Sequence, residues 1–285
     1  MEFLRMRAAV PILMWLSVTL LTGCGQGNQA KPSTWFATSS IYAYMKAVQD
    51  QSGNVTTTVQ LRDGPATTAA YLYLASGETL YSSLDVPPQQ YLNFNGNLFT
   101  NSLDLSKHLK VMSSRDLYTD LLLFTQVVFG KPEYFANDTP QAGASPVRAY
   151  VDFERTGQVF AGPSSIDLPG GFQIAAPAAD FSAPRSTPLA LTWTNADPAT
   201  TMELDVAGVC VDNSRYTMHL SLPDTGSATL NGANYFPATG VNPATTCRVA
   251  FLLQRTRIGS VSSQFAFGST FTGVQQRSVQ FNSIP

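Results

Sequence analysis

Along most of the chain apolar and polar residues alternate one by one, a period that sets one side of an extended strand against a core and the other toward water. Ile41-Tyr-Ala-Tyr-Met-Lys-Ala-Val48 and Val55-Thr-Thr-Thr-Val-Gln-Leu61 are β-branched and aromatic runs on either side of the turn-rich segment Gln49–Asn54, which predicts a hairpin. Ala70–Leu74 and Thr79–Leu84 flank Ala75-Ser-Gly-Glu78 and predict a second hairpin, closed by Pro87-Pro88 because proline cannot donate to a ladder. Asn95-Gly96, inside Asn93–Phe99, marks another tight turn. Leu105–Phe129 fits helical spacing at Leu109, Met112, Leu117, Leu121, Phe124 and Val128 and also suits a buried strand, which is the preferred reading. Pro132–Pro146 reads as a loop, and Val147–Phe153 resumes the alternation.

Between Phe160 and Pro188 the composition shifts to Gly, Pro, Ser and Ala, which makes this the expected domain junction. Beyond it short runs recur at Leu189–Thr194, Met202–Val209, Tyr216–Leu222, Ser227–Leu230, Cys247–Gln254, Ser263–Phe267 and Ser278–Phe281. Short strands this closely spaced, with turn signals between them, predict a β-sandwich. The expected fold is therefore all-β, with two antiparallel sandwich-like domains over residues 35–170 and 171–285. Leu191-Thr-Trp-Thr194 resembles an early core strand of immunoglobulin-like and fibronectin-type domains, although Trp193 precedes both later cysteines and the Cys-Trp-Cys order is absent.

The start of the chain breaks the pattern. Arg5 and Arg7 precede an apolar run from Ala8 to Leu21, interrupted by Pro11 and shorter than the roughly 20 residues that a membrane-spanning helix needs. A basic segment, a short apolar segment and small residues before Cys24 are the parts of an export leader. Leu21-Thr22-Gly23-Cys24 resembles the lipobox of bacterial lipoproteins. That resemblance implies cleavage after residue 23, diacylglyceryl attachment to the Cys24 thiol and acylation of the new amino terminus. Two or more acyl chains hold a protein firmly to a bilayer where one holds it marginally. Gly25 in place of Asp implies sorting to the outer membrane, and residues 24–34 read as a small, polar tether.

Composition narrows the function classes. Without Arg5, Arg7 and Glu2 the net charge moves only from −2 to −3, which excludes a general electrostatic footprint for nucleic acid. With Cys24 acylated, Cys210 and Cys247 remain, and two thiols outside the cytoplasm are expected to pair.

No catalytic, nucleotide-binding or metal-ligand motif occurs, so neither cofactor nor metal is expected. His219 alternates with Tyr216, Met218, Leu220 and Leu222 and is expected to face solvent beside Thr217 and Ser221, while His108 is expected at the surface. Asp116 and Asp120 share a face in helix or strand and form the best carboxylate pair for glycoside chemistry, although a solvated polar face explains them more simply. Asp197 and Asp212-Asn213 lack the oxygen-ligand spacing of a calcium loop. Trp35, Phe36, Tyr42, Tyr44, Tyr71, Tyr73, Tyr81 and Tyr91 crowd the first third of the chain. They suit a binding platform, yet the alternating pairs Tyr42/Tyr44 and Tyr71/Tyr73 are expected to pack inward. The sequons at Asn54 and Asn137 carry no expectation of glycosylation in a bacterial lipoprotein. The whole pattern resembles uncharacterised proteobacterial envelope lipoproteins. The functional expectation is a lipid-anchored, non-enzymatic binding or structural module for protein or glycan partners, facing periplasm or cell surface. An envelope polysaccharide hydrolase is the alternative.

Overall fold

The computed structural model describes residues 30–86, 109–116, 132–140, 146–156 and 161–285. Its first strands, in chain order, are β1 (Lys31–Pro32), β2 (Tyr42–Gln49), β3 (Val55–Arg62), β4 (Tyr71–Tyr73), β5 (Glu78–Leu84), β6 (Leu109–Val111), β7 (Ser113–Asp116), β8 (Pro132–Asp138), β9 (Arg148–Arg155) and β10 (Ala161–Asp167). They continue as β11 (Ile174–Ala176), β12 (Ser182–Pro184), β13 (Leu189–Trp193), β14 (Thr201–Cys210), β15 (Arg215–Pro223) and β16 (Ser227–Leu230). After the one-turn helix α1 (Gly232–Tyr235) come β17 (Cys247–Ile258) and β18 (Thr270–Ile284).

The protein is all-β and is built as two sandwiches that share one sheet. That sheet runs β1-β4-β3-β2-β18-β17-β14-β15, with β8 also on β3, β7 on β8 and β12 on β18. A second sheet, β10-β9-β5-β6, covers its first half, and a third, β11-β13-β16, covers its second half. The first core joins Ile41, Met45, Val59 and Leu61 of the shared sheet to Leu80, Val151 and Phe153 of the second. The other core joins Leu204, Val249, Phe251 and Phe281 to Leu191, Trp193 and Leu230. Most pairings are antiparallel; β1–β4, β12–β18 and β18–β2 are parallel.

The two longest strands make the continuity possible. All of β17 lies against β18, while only Thr270–Gln275 of β18 lies against β2, so the end strand of the chain serves both sandwiches. Phe271 sits in the first core and Phe281 in the second. Gly273 lies between them because β10 closes over it, and a Cβ there would sit 2.7 Å from Cγ1 of Ile166. Residues 35–170 and 171–285 are thus not separate sheets, although the chain passes from one core to the other at Leu168–Phe172.

Where the cores meet, the inward positions of β17 and β18 turn polar. Arg255 is fully buried, its Nε 2.6 Å from Oδ2 of the equally buried Asp224. Its guanidinium also donates to the carbonyls of Gly170 (2.6 Å) and Asn195 (2.7 Å). Asp224 accepts from Trp193 Nε1 (2.7 Å) and Thr200 Oγ1 (2.8 Å). Burial alone pushes the Asp224 carboxyl up, but donors from Arg255, Trp193 and Thr200 outweigh it and hold the group below its ordinary value. Phe172 fills the seam between the guanidinium groups of Arg255 and Arg277, 5.1 and 5.5 Å from its ring centroid. Arg277 donates to the Asp50 carbonyl (3.0 Å) in the turn after β2, and Gln275 bonds Gln49.

Several sequence expectations are corrected. β4 and β5 are strands but not a hairpin: β4 joins β1 and β3 while β5 joins β6 and β9, so Ala75–Gly77 crosses from one sheet to another. Pro132–Asp138 is a strand, since proline is tolerated at a strand's first residue and Tyr134 and Ala136 alternate into the core. Ser263–Phe267 is a loop, and the strand after it is much longer than Ser278–Phe281. Lys31–Pro32 is already paired, four residues inside the expected 24–34 tether. Asn95-Gly96 and most of Leu105–Phe129 lie outside the described residues. Cys210 and Cys247 face each other across β14 and β17 and form a disulfide. It joins neighbouring strands of one sheet, whereas the bond of true immunoglobulin domains spans two.

The seam should dominate stability. Asp224→Ala leaves Arg255 buried without a counter-charge and is expected to cost about 3–5 kcal/mol in urea unfolding. Asp224→Leu combined with Arg255→Met should cost far less, and equal losses in both variants would show that charge pairing is not what the seam depends on. Replacing both cysteines by alanine should remove about 4 kcal/mol on the chain-entropy account of a 37-residue separation.

Candidate functional site

β2 has two dissimilar faces. Ala43, Met45 and Ala47, together with Ile41 just before the strand, are buried and fill the inner face. Tyr42, Tyr44 and Lys46 are therefore outward, which reverses the inward packing expected for Tyr42/Tyr44 and Tyr71/Tyr73. The outward residues align across the sheet: Tyr42 opposes Arg62, Arg62 opposes Tyr71, and Tyr44 opposes Gln60. Directly opposed residues share a face, so this register assembles a tyrosine–arginine platform on the outside of the shared sheet.

The platform is held in place by its own contacts. The Arg62 guanidinium lies 5.0 Å from the Tyr44 ring centroid and 4.7 Å from that of Tyr71. It donates to Tyr71 Oη (3.1 Å) and Gln60 Oε1 (3.3 Å). Gln60 Nε2 donates to Glu133 Oε1 (3.1 Å) on β8, and Tyr44 Oη donates to the Pro65 carbonyl (3.2 Å). The loop beneath is pinned by Asp63, which accepts from the Ala70 amide (2.8 Å) and pairs with Lys31 (2.6 Å). Tyr73, more exposed than the rest, extends the row. Flat rings beside a guanidinium, an amide and a carboxylate offer apolar area and directional polar groups at low entropic cost.

The other candidates show less chemistry. Asp116 ends β7, while Asp120, His108, Tyr91 and Cys24 lie outside the described residues, so the proposed carboxylate pair is not assembled by what is described. His219 is exposed, as its period of two predicts, and lies between Asp205 (Nδ1 to Oδ1, 2.7 Å) and Glu203 (Nε2 to Oε2, 3.0 Å). The Asp205 hydrogen bond raises its pKa. Ser221 donates to Glu203 (3.0 Å) instead of to the imidazole, so this is no nucleophile–base pair. Asp197 and Asp212 cap their own turns, accepting from Ala199 and Ser214. Among the described residues no three His, Cys, Asp or Glu side chains converge on a metal site.

Asp152 is the group that the sequence reading missed. It lies in the centre of the second sheet opposite Tyr81, fully buried and without a hydrogen-bond partner among the described residues. Burial pushes its carboxyl up to about 7. Burial, followed by the charge and hydrogen bond of Glu154, raises the Tyr81 hydroxyl. No motif surrounds Asp152, and only its place in an otherwise apolar run, Ala149-Tyr-Val-Asp-Phe153, could have drawn attention to it.

Comparison with known proteins adds no assignment. No family model matches the sequence, and no curated protein does. Among solved structures the chain is similar to a DIP-gamma IG1+IG2 structure, with 10% identity, 85% of this chain and 95% of that chain covered, and a TM-score of 0.19. It is also similar to E. coli alpha-2-macroglobulin, with 9% identity, 89% of this chain and 14% of that one covered, and a TM-score of 0.23. Likenesses at these scores carry no argument, and the all-β architecture rests on the strands themselves.

Asp152 makes stability depend on pH in an unusual sense. Its folded-state pKa stands above that of an unfolded aspartate, so between about pH 4 and about 7 the unfolded chain releases a proton that the folded one keeps. Stability is expected to fall across that window and level off above it, with a ceiling on the order of 4 kcal/mol for this group. Asp152→Asn should stabilise the protein at pH 8 and flatten its melting-temperature profile between pH 4 and 7. A profile with the wild-type slope would reject the assignment.

Proposed function

We propose that the mature protein is a lipid-anchored, non-enzymatic recognition module of the bacterial envelope, whose Tyr42–Arg62–Tyr71 face binds a glycan. The observation that carries this reading is the outward register of that row: four tyrosines and an arginine stand on a solvent-facing sheet surface that the core does not use. Sugar rings present flat C–H faces to aromatic rings and hydroxyls to mixed donors and acceptors, and Arg62, Gln60 and Glu133 supply both kinds within one row. The acyl groups expected on Cys24 would keep this face near the outer membrane.

The hydrolase alternative finds less support. Asp152, whose carboxyl burial pushes up to about 7, is fully buried and cannot meet a polymer.

Binding is tested by co-sedimentation of the purified protein with peptidoglycan sacculi and by affinity electrophoresis in soluble envelope polysaccharide. Tyr44→Ala and Tyr71→Ala are each expected to weaken binding about tenfold, the effect of losing roughly 1.4 kcal/mol of ring contact. Arg62→Ala, which frees both rings, should weaken it further, and Val211→Ser on a distant exposed turn should change nothing. Retention that is indifferent to all three platform substitutions, or capture of a protein partner through this face in place of any glycan, would overturn the reading.

A further inference from the structure

We infer that the end of the first sandwich at which the chain enters the fold rests in the bilayer interface, with Trp35 and Phe267 as its contacts. The inference depends on acylation of Cys24 and goes beyond it, because an anchor alone does not decide which surface meets the lipid. Five residues separate Cys24 from Ala30, where the described structure starts, and the six steps between the two span at most about 20 Å. The lipid surface is therefore within reach of this end of the molecule.

Trp35 is 72% exposed, yet both of its flanks are fixed. Ser33 is buried, and its hydroxyl bonds the Tyr73 carbonyl (3.0 Å) and the Glu78 carboxylate. Arg155, ion-paired with Glu78 (2.8 Å) below the surface, donates to the carbonyls of Ser33 (2.7 Å) and Phe36 (2.7 Å) on either side of the tryptophan. Phe36 packs against the first core. A buried ion pair is an expensive device, and here it holds a single turn with a large amphipathic ring facing outward.

Phe267 repeats the arrangement. Phe265 stacks on Phe153, with ring centroids 6.0 Å apart, and the Ala266 amide donates to the Ile41 carbonyl (2.9 Å). Ser269 closes the loop by donating to the Ala266 carbonyl (2.8 Å) and accepting from the Ala43 amide (3.0 Å). Between these fixed points Phe267 is fully exposed. Both turns sit where β2 begins and β9 finishes, since Arg155 reaches Phe36 and Thr38 while Ala266 reaches Ile41. Isolated exposed apolar residues need no explanation, but two aromatics on fixed turns at the anchored end match the tryptophan-rich belts of membrane–water interfaces. The tyrosine–arginine face would then stand upright from the bilayer.

The chain offers its own reporter. With the leader and Trp15 removed, only Trp35 and the buried Trp193 remain. The native product is reconstituted into vesicles of phosphatidylcholine with brominated acyl chains, and its mass and flotation are recorded beside its emission. The expected result is an acylated, floating protein whose Trp35 emission, identified by its loss in Trp35→Phe, is quenched by the brominated lipid and protected from aqueous iodide. Phe267→Asp should reduce that quenching at least twofold without stopping flotation. An acylated, floating protein whose Trp35 is quenched by iodide and not by brominated lipid overturns this inference alone. A mass without acyl chains removes the anchoring reading and this inference together.

Discussion

The structure turns on one buried ion pair. Arg255 and Asp224 sit where the two apolar cores approach each other, and with Gln275 and Arg277, which bond Gln49 and Asp50, they make that meeting point a polar layer. β17 and β18 are long enough to cross the layer without a break, so one sheet backs two sandwiches. A guanidinium has five donors, and the linker carbonyl of Gly170, the turn carbonyl of Asn195 and the Asp224 carboxylate take up Arg255 donors from three directions. A buried charge tolerates few alternatives, and this fixes how the linker crosses.

The same device recurs at smaller scale. Arg155 ties the segment around Trp35 to the first core through the Ser33 and Phe36 carbonyls. Arg185 lies 3.7 Å from the Phe236 ring centroid and bonds the carbonyls of Pro243, Thr245 and Ser283. Arg62 does on the surface, between two tyrosines, what the others do inside. In a chain that is only 13% charged, arginines act as multi-point clamps for loops that have no ladder of their own. The proposed roles separate along the same geometry: the side of the shared sheet offers rings and polar groups to a partner, while the end of the strands offers aromatics to lipid.

By itself the sequence determined the elements in which alternation and turn signals agree. β2 with β3, and β14 with β15, stand where the period of two put them, and His219 faces solvent for the same reason. The disulfide was legible because only Cys210 and Cys247 remained once Cys24 was set aside. The proposed export leader and the proposed acylation of Cys24 are read from the sequence alone.

Tertiary structure decided which face lies inside and which strands become neighbours. Alternation states that Tyr42 and Tyr44 share a side, and that Ala43 and Met45 share the other. Two tyrosines make one side of β2 as attractive a core face as the other, and the structure packs the Ala43 and Met45 side against the second sheet. The platform is invisible in sequence for a second reason: Arg62 meets Tyr71 by strand register across a loop, which no local pattern encodes. β4 and β5 part into different sheets, β8 pairs despite its proline, and β18 bridges two cores, each because long-range pairing outweighs local preference. Arg255 shows the limit most plainly, since charge in an alternating strand reads as surface until a carboxylate from a distant loop arrives to bury it.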